Sequence, residues 1–322
     1  MFDVITVGSN TIDLFVWTDS KLINLKHSHE QLMAYPLGGK ILIREFSTAT
    51  GGGGTNTAAT FSSLGLRTAY LGKVGNDENG SIIFKDLKRF GISFIGKIGG
   101  KTGFSVILDS AAHDRTVLTY KGANDDFSFN DINKSKLQTK WFYFSAMLGK
   151  SYETLIKLGE FARKNNIRVA FNPSSYLAEK GERFLDALLR NVHTLILNKE
   201  EAEAAVGKKP IPFLLKDLGK RGPLCIVITD GKNGAYAYDH KFYYQISARK
   251  IKVVETLGAG DAFAAGFVTG LILGKNIEYC LKLGMNNAEG CIQIRGAKEG
   301  LLTKKSAWAI VRRDNRRILK RA

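Results

Sequence analysis

Short, nearly continuous apolar runs alternate along this chain with longer stretches of helical spacing. Val4-Ile5-Thr6-Val7, Ala69-Tyr70-Leu71, Trp141-Phe142-Tyr143-Phe144, Val169-Ala170-Phe171, Leu195-Ile196-Leu197 and Cys225-Ile226-Val227-Ile228 each read as a buried strand. Tyr152 to Lys164, Gly181 to Leu189 and Lys199 to Val206 carry one apolar face and fall between or beside those runs, as crossover helices do. The alternation predicts an α/β fold: a doubly wound, mostly parallel sheet flanked by helices. Two regions break it. Lys40-Ile41-Leu42-Ile43-Arg44 alternates like an antiparallel strand, and Phe104 to Leu108 pairs with Thr116 to Tyr120 across a polar turn at Ala112-His113-Asp114-Arg115. They predict a small β-sheet lid, formed from about 14–48 and 100–121, on a single domain of residues 1–322. Phe161, Phe184 and Phe267 are expected as core anchors on their helices.

Composition narrows the function. The 322 residues contain 44% hydrophobic and 24% charged positions, ordinary for a globular chain and far from a disordered or collagenous one. The apolar run between Asp261 and Lys275 falls short of the roughly 20 residues a membrane span needs. Met1-Phe2-Asp3 lacks a basic leader, so a cytoplasmic protein without membrane partners is expected. Cys225, Cys280 and Cys291 show no C-x-x-C spacing and read as buried thiols. His27, His29, His113, His193 and His240 are scattered without metal-ligand spacing.

The net charge of +17 would attract nucleic acid, an anionic membrane or a phosphorylated ligand alike. Its densest cluster, Arg312 to Arg321, has helical spacing and reads as a solvated terminal helix. No RNP, zinc-finger or basic-zipper pattern accompanies it. The 34 glycines against 5 prolines suggest tight turns that keep their N–H groups, as phosphate-binding loops do.

Two glycine-rich segments carry the candidate chemistry. Glu255-Thr256-Leu257-Gly258-Ala259-Gly260-Asp261-Ala262-Phe263 follows a β-like run at Ile251 to Val254 and precedes an apolar helical run through Leu273. Gly-Ala-Gly at a helix start keeps side chains away, so the first N–H groups can face an anion. An acid beside a phosphate hole makes sense if it takes a proton from an attacking hydroxyl; the alternative is that Asp261 merely caps the helix. Gly51-Gly52-Gly53-Gly54-Thr55-Asn56 opens a second helix. It is neither a Walker A loop nor a dinucleotide fingerprint, since its spacing differs and no strand is expected immediately before it. With Asn56 as donor and acceptor it suits a polyhydroxyl ligand, or is simply a packing turn.

Together these segments resemble the two signatures of the ribokinase-like (PfkB) carbohydrate kinase family. Gly8-Ser9-Asn10-Thr11-Ile12-Asp13 is similar to the family's opening turn, and Gly72-Lys73-Val74-Gly75-Asn76-Asp77-Glu78-Asn79-Gly80 to its G-x-V-G-x-D-x-x-G stretch. Lys121-Gly122-Ala123-Asn124, Asn198-Lys199-Glu200-Glu201 and Thr229-Asp230-Gly231-Lys232-Asn233-Gly234 resemble its G-A-N, N-x-x-E and nucleotide-phosphate segments. The resemblance implies an ATP-dependent kinase that transfers the γ-phosphoryl group to a hydroxyl of a small sugar or sugar derivative, with Mg²⁺. It assigns Asp261 as base, and Gly258, Ala259 and Gly260 as the hole for phosphate charge. Asp13, Gly52 and Asn56 would bind the acceptor. Asn198, Thr229, Gly231, Lys232, Gly234, Gly260 and Asn287 (or, in a shifted register, Asn286) would meet the nucleotide, and Glu201 would help hold Mg²⁺.

Thr11 and Gly53 stand where ribokinases carry Asn and Lys, which argues against ribose itself. Glu255 replaces an Asp that shapes a monovalent-cation site in ribokinases, leaving potassium activation open. A nucleoside kinase acting on adenosine, inosine, guanosine or cytidine is the alternative, ahead of a non-catalytic nucleic-acid-binding or sugar-sensing relative. Lids of this type pair in many relatives, so a homodimer through the lid is a further expectation.

Overall fold

Strands buried on both faces need apolar side chains at successive positions, and the runs that satisfy this form the centre of the main sheet. The computed structural model describes residues 1–18, 21–24, 31–109 and 115–322. His27, His29, His113 and the turn at 112–114 lie outside the described residues. In chain order the first part runs β1 (Val4–Val7), β2 (Thr11–Thr18), β3 (Lys21–Asn24), β4 (Gln31–Ala34), β5 (Ile43–Gly51), α1 (Gly53–Ser63), β6 (Thr68–Leu71), β7 (Lys73–Val74), α2 (Glu78–Arg89), β8 (Ser93–Phe94), β9 (Lys97–Ile98), β10 (Gly103–Asp109) and β11 (Arg115–Tyr120). There follow β12 (Trp141–Phe144), α3 (Gly149–Lys164), β13 (Arg168–Phe171), α4 (Ser174–Ala178), α5 (Glu182–Leu189), β14 (Thr194–Asn198), α6 (Lys199–Val206), α7 (Ile211–Gly219) and β15 (Cys225–Thr229). The last part comprises β16 (Ala235–Tyr238), β17 (Tyr243–Ile246), α8 (Ala259–Ile272), α9 (Ile277–Cys291), α10 (Lys304–Arg313) and β18 (Leu319–Arg321).

The main sheet has the order β18-β17-β16-β15-β14-β13-β12-β1-β6-β8. Pairing is parallel from β8 to β15 and antiparallel from β15 to β18. Alternate residues of β12 serve opposite faces. Phe142 and Phe144 join Leu155, Leu158 and Leu188 on one side, while Trp141 and Tyr143 join Phe61, Phe263 and Phe267 on the other. This is the expected large, mostly parallel sheet between helices. The chain leaves β1 toward β6 on one side and later enters β12 on the other, so the order reverses between β1 and β12. Crevices at such a reversal, beyond the carboxyl ends of the strands, are where open α/β sheets bind ligands.

The separate small sheet has the order β11-β10-β2-β5. Phe104 pairs with Tyr120 and Leu108 with Thr116, as expected of an antiparallel pair. The expected strand at Lys40 to Arg44 is displaced: β5 starts at Ile43 and runs to Gly51, antiparallel to β2. Its sequence, Ile-Arg-Glu-Phe-Ser-Thr-Ala-Thr-Gly, lacks an apolar run because most of it is exposed on the sheet edge. A strand therefore does lead straight into Gly51-Gly52.

Three other expectations are corrected. Ile251 to Val254 forms no strand; Val253 and Val254 are exposed there. The basic tail is not a terminal helix. After α10 it turns and ends as β18 against β17, because Arg316 reaches both Glu289 and Asp314 at 2.6 Å and pulls the chain back onto the sheet. Phe267 is a core anchor, but Phe184 is 40% exposed and stacks on Tyr152 at 4.5 Å instead. All three cysteines are buried and free. Among the described residues no helix is long and apolar enough to cross a membrane.

Candidate active site

α1 and α8 both start beside the β1–β12 reversal, and neither has a side-chain cap. Gly52, with φ 93°, precedes α1, and Gly258, with φ 79°, precedes α8. Only glycine fits these places. A Cβ on Gly52 would lie 2.5 Å from the Ser9 carbonyl oxygen, and one on Gly258 would lie 2.5 Å from the Ala297 methyl. Gly53 and Gly54 let α1 settle against the turn after β1: Gly54 N–H donates to the Ser9 carbonyl at 3.0 Å, and a methyl on Gly54 would strike Gly8. Among the described residues the N–H groups of Gly53, Gly260 and Asp261 find no acceptor. They leave the paired helix starts rich in unmet donors and carrying the positive ends of two helix dipoles.

Asp261 is the third residue of α8, so it does not cap its own helix. Its Oδ2 accepts a 2.9 Å hydrogen bond from Asn56 Nδ2 of α1, and part of the residue stays open to the cleft. Burial raises the carboxyl above its usual range; the Asn56 hydrogen bond and the Lys298 ammonium oppose that rise. A methyl on Gly53 would lie 2.9 Å from Ser145 Oγ and 3.5 Å from Asp261 Oδ1, which puts this serine, at the end of β12, beside the acid. Ser145 Oγ, Asn56 Oδ1 and Tyr143 Oη are buried without a hydrogen-bond partner among the described residues. Buried polar atoms are normally paired, so three orphans around one carboxylate mark a place completed by a ligand.

Asp13 lies in β2, 8% exposed, opposite Ser105 and Ala49. Burial raises its carboxyl, against hydrogen bonds from the Thr11 and Ser105 hydroxyls and the fields of Lys298 and Lys121. Its Oδ2 presses on Gly51, where any Cβ would collide with it. The small sheet thus delivers Asp13 against the same glycine loop that carries Gly52 and Asn56.

Asn198 and Thr229 are register partners at the ends of β14 and β15. Asn198 caps α6: its Oδ1 accepts from Glu201 N–H at 2.7 Å, and Glu201 Oε2 accepts from Asn198 N–H at 2.9 Å. Among the described residues the Asn198 amide NH₂ has no acceptor. Burial raises the Glu201 carboxyl first of all; the Asn198 N–H opposes this, the Asp261 charge reinforces it, and Ser175 N–H gives a further opposing hydrogen bond. Gly231 and Gly234 have φ 48° and 100° and turn the chain sharply around exposed Lys232. Among the described residues no cluster of three His, Cys, Asp or Glu could hold a metal by itself.

Asn287, expected at the nucleotide, is held inside the protein. It is fully buried, its Nδ2 donates to the Ala262 carbonyl at 2.7 Å, and its Oδ1 accepts from Leu302 N–H at 2.9 Å. Both ends of the amide are committed to tying α9 to α8 and to the following loop. Asn286 is occupied as well, by Lys282, Asp314 and Arg249. Sequence reading missed Ser145, Tyr143 and Lys298, none of which carries a local signal. A cavity of about 720 Å³ borders Thr50, Asp86 and Lys298, but Asp261, Asn56 and Asp13 do not line it, so it is not the acid's cleft.

An acid beside unmet helix-start amides, with a strand-end capping box nearby, is an arrangement able to activate a hydroxyl toward a phosphate. The pfkB family carbohydrate kinase profile matches residues 13–304. An uncharacterized sugar kinase of Archaeoglobus fulgidus is 30% identical over 256 residues, covering 74% of this chain and 97% of that one. The 5-dehydro-2-deoxygluconokinase of Bacillus licheniformis is 25% identical over 323 residues, covering 94% and 93%. The structure of Arabidopsis thaliana ribokinase complexed with ribose and ATP superposes with a TM-score of 0.83 at 21% identity, covering 96% and 98%. The chain belongs to the pfkB family of carbohydrate kinases. It is a sugar kinase of that family, whose co-substrate is ATP.

Proposed function

We propose that the protein transfers the γ-phosphoryl group of ATP to a hydroxyl of a small sugar or sugar derivative, with Asp261 taking the proton of the attacking alcohol. The observation that carries this reading is the environment of Asp261. One oxygen is fixed by Asn56, the other lies near Gly53 and Ser145, and buried Asn56 Oδ1 and Ser145 Oγ have no hydrogen-bond partner among the described residues. Phosphoryl transfer asks a protein mainly for alignment and charge stabilisation. Asp13, Gly52, Asn56 and Ser145 would align the acceptor. The free N–H groups of Gly260 and Asp261, with Gly258 and Ala259 shaping the turn, would face the developing phosphate charge.

The nucleotide would run from the Gly231–Gly234 turn past Thr229 and the Asn198 amide toward α8, with Lys232 near its phosphates. Mg²⁺ is held in kinases largely by phosphate oxygens and waters plus one or two carboxylates, so a multi-residue cage is not needed. Glu201 fits that sparse demand: its Oε2 is tied to Asn198 N–H, and the carboxylate is electrostatically coupled to Asp261. When bound, the metal would neutralise phosphate charge. The small sheet, bearing Asp13, would act as a lid that keeps water from the phosphoryl group.

The B. licheniformis relative is named for a keto-deoxy sugar acid, and an acidic sugar suits this site too. Lys121 sits 3.8 Å above the Tyr176 ring, makes no ion pair among the described residues and lies in the electrostatic reach of Asp13. The test is ADP release with ATP and Mg²⁺ over a panel of neutral sugars, sugar acids, sugar phosphates and nucleosides. Turnover with sugars, led by acidic ones, is expected; turnover with nucleosides alone would overturn the choice of acceptor.

A further inference from the structure

Lys298 lies in the turn after α9, with its side chain 4% exposed. Its ammonium donates to Asp86 Oδ2 of α2 at 2.7 Å, to Thr50 Oγ1 of β5 at 3.0 Å and to Thr55 Oγ1 of α1 at 3.5 Å. These three acceptors match its three protons. They also bracket the acceptor loop. Thr50 precedes Gly51 and itself donates to Asp86 at 2.6 Å, while Thr55 follows Gly54 and donates back to the Gly51 carbonyl at 2.6 Å. One ammonium therefore joins the last residues of the small sheet, the first turn of α1 and α2.

We propose that Lys298 is a positioning residue for phosphoryl transfer: it pins both ends of the Gly51–Gly54 loop and sets a fixed positive charge toward Asp13 and Asp261. This rests on the reading of Asp261 as the base. A buried ammonium needs compensation, and Asp86 gives it one neutralising partner. A purely mechanical clamp would need no charge, since a neutral donor could bridge two threonines. Here the charge faces Asp13 of β2 and Asp261 of α8 as well, and it draws both carboxyls downward against burial. In return, burial pulls the ammonium itself down, opposed by Asp86, Asp13 and Asp261.

The other groups around Asp261 do not provide this. Asn56 of α1 is neutral. Tyr143 of β12 and Cys291 of α9 are pushed up by burial and stay protonated, and Glu201 of α6 carries the same sign as Asp261. Removing Lys298 therefore raises the Asp261 carboxyl, and the acid limb of the pH profile must move to higher pH.

The test compares wild type, Lys298→Met and Lys298→Arg by kcat, by KM for the acceptor and for ATP, and by the pH dependence of kcat/KM. For Lys298→Met the acceptor KM is expected to rise by about tenfold to a hundredfold, the scale of a displaced binding group. The ATP KM should stay within about twofold, and the acid limb should move upward. Lys298→Arg, which keeps the charge, should restore the limb. Should Lys298→Met not fold, the double variant Lys298→Met/Asp86→Leu removes the buried pair together and must show the same displaced limb. A folded Lys298 variant whose profile superposes on wild type overturns the proposal. An Asp261→Asn variant that retains the wild-type acid limb would instead overturn the assignment of the base.

Discussion

Two carboxylates occupy the same place in two helices of this protein and meet different fates. Glu201 is the third residue of α6 and Asp261 the third residue of α8; both are buried enough to have raised pKa values. Glu201 turns back to the N–H of Asn198, closing a capping box that satisfies its own helix start. Asp261 has glycine where Asn198 stands in α6, so it has no reciprocal partner. It accepts instead from Asn56 of another helix, and among the described residues the Gly260 and Asp261 amides are unmet. The difference lies in the residue three places earlier. An asparagine there ties one oxygen of the acid to its own helix start, while a glycine with φ 79° leaves the acid without that tie, as the proposed role of Asp261 requires.

The first way to break the comparison is to close the open helix start. Gly258→Val combines a left-handed backbone with a collision against Ala297, and is expected to lower turnover by about a thousandfold or more, the worth of a lost oxyanion-type donor set, as steady-state ADP release would show. Asn56→Ala removes the hydrogen bond that orients Asp261. A drop in kcat of about tenfold to a hundredfold is predicted for a misplaced catalytic group, with the ATP KM unchanged; an equal rise in ATP KM would mean that Asn56 serves the nucleotide. The smallest effect belongs to the sealed helix. Asn198→Ala should cost about 1 kcal/mol of stability, as cap removal does, read by urea denaturation, and should weaken ATP binding through loss of the free amide.

How much of this was legible beforehand depended on whether the cause was local. Val4–Val7, Trp141–Phe144 and Cys225–Thr229 announced themselves because burial on both faces demands apolar residues in succession. Ile43–Gly51 did not, since an exposed edge strand carries no such demand and only its pairing with β2 defines it. The tail misled for a related reason: helical charge spacing is real there, but Arg316 finds Glu289 and Asp314 in space and turns the chain into β18. In the site, the Gly-Ala-Gly-Asp segment was visible because helix-start chemistry is written in consecutive residues. Ser145, Tyr143 and Lys298 were not, because each acts on residues far away in sequence. Asn287 sat in a suggestive register, yet both ends of its amide serve packing.

The central claim, that Asp261 is kept free for proton transfer while Glu201 is partly committed to its helix, is tested most directly by measuring kcat and melting temperature for Asp261→Asn and Glu201→Gln side by side. Asp261→Asn should lose about 10²- to 10⁴-fold in kcat, the range for a positioned general base, with its melting temperature unchanged or raised because a buried charge is gone. Glu201→Gln, which keeps an acceptor for the Asn198 N–H, should hold its melting temperature and lose rate chiefly by needing more Mg²⁺. A folded Asp261→Asn enzyme that turns over at the wild-type rate would contradict the account.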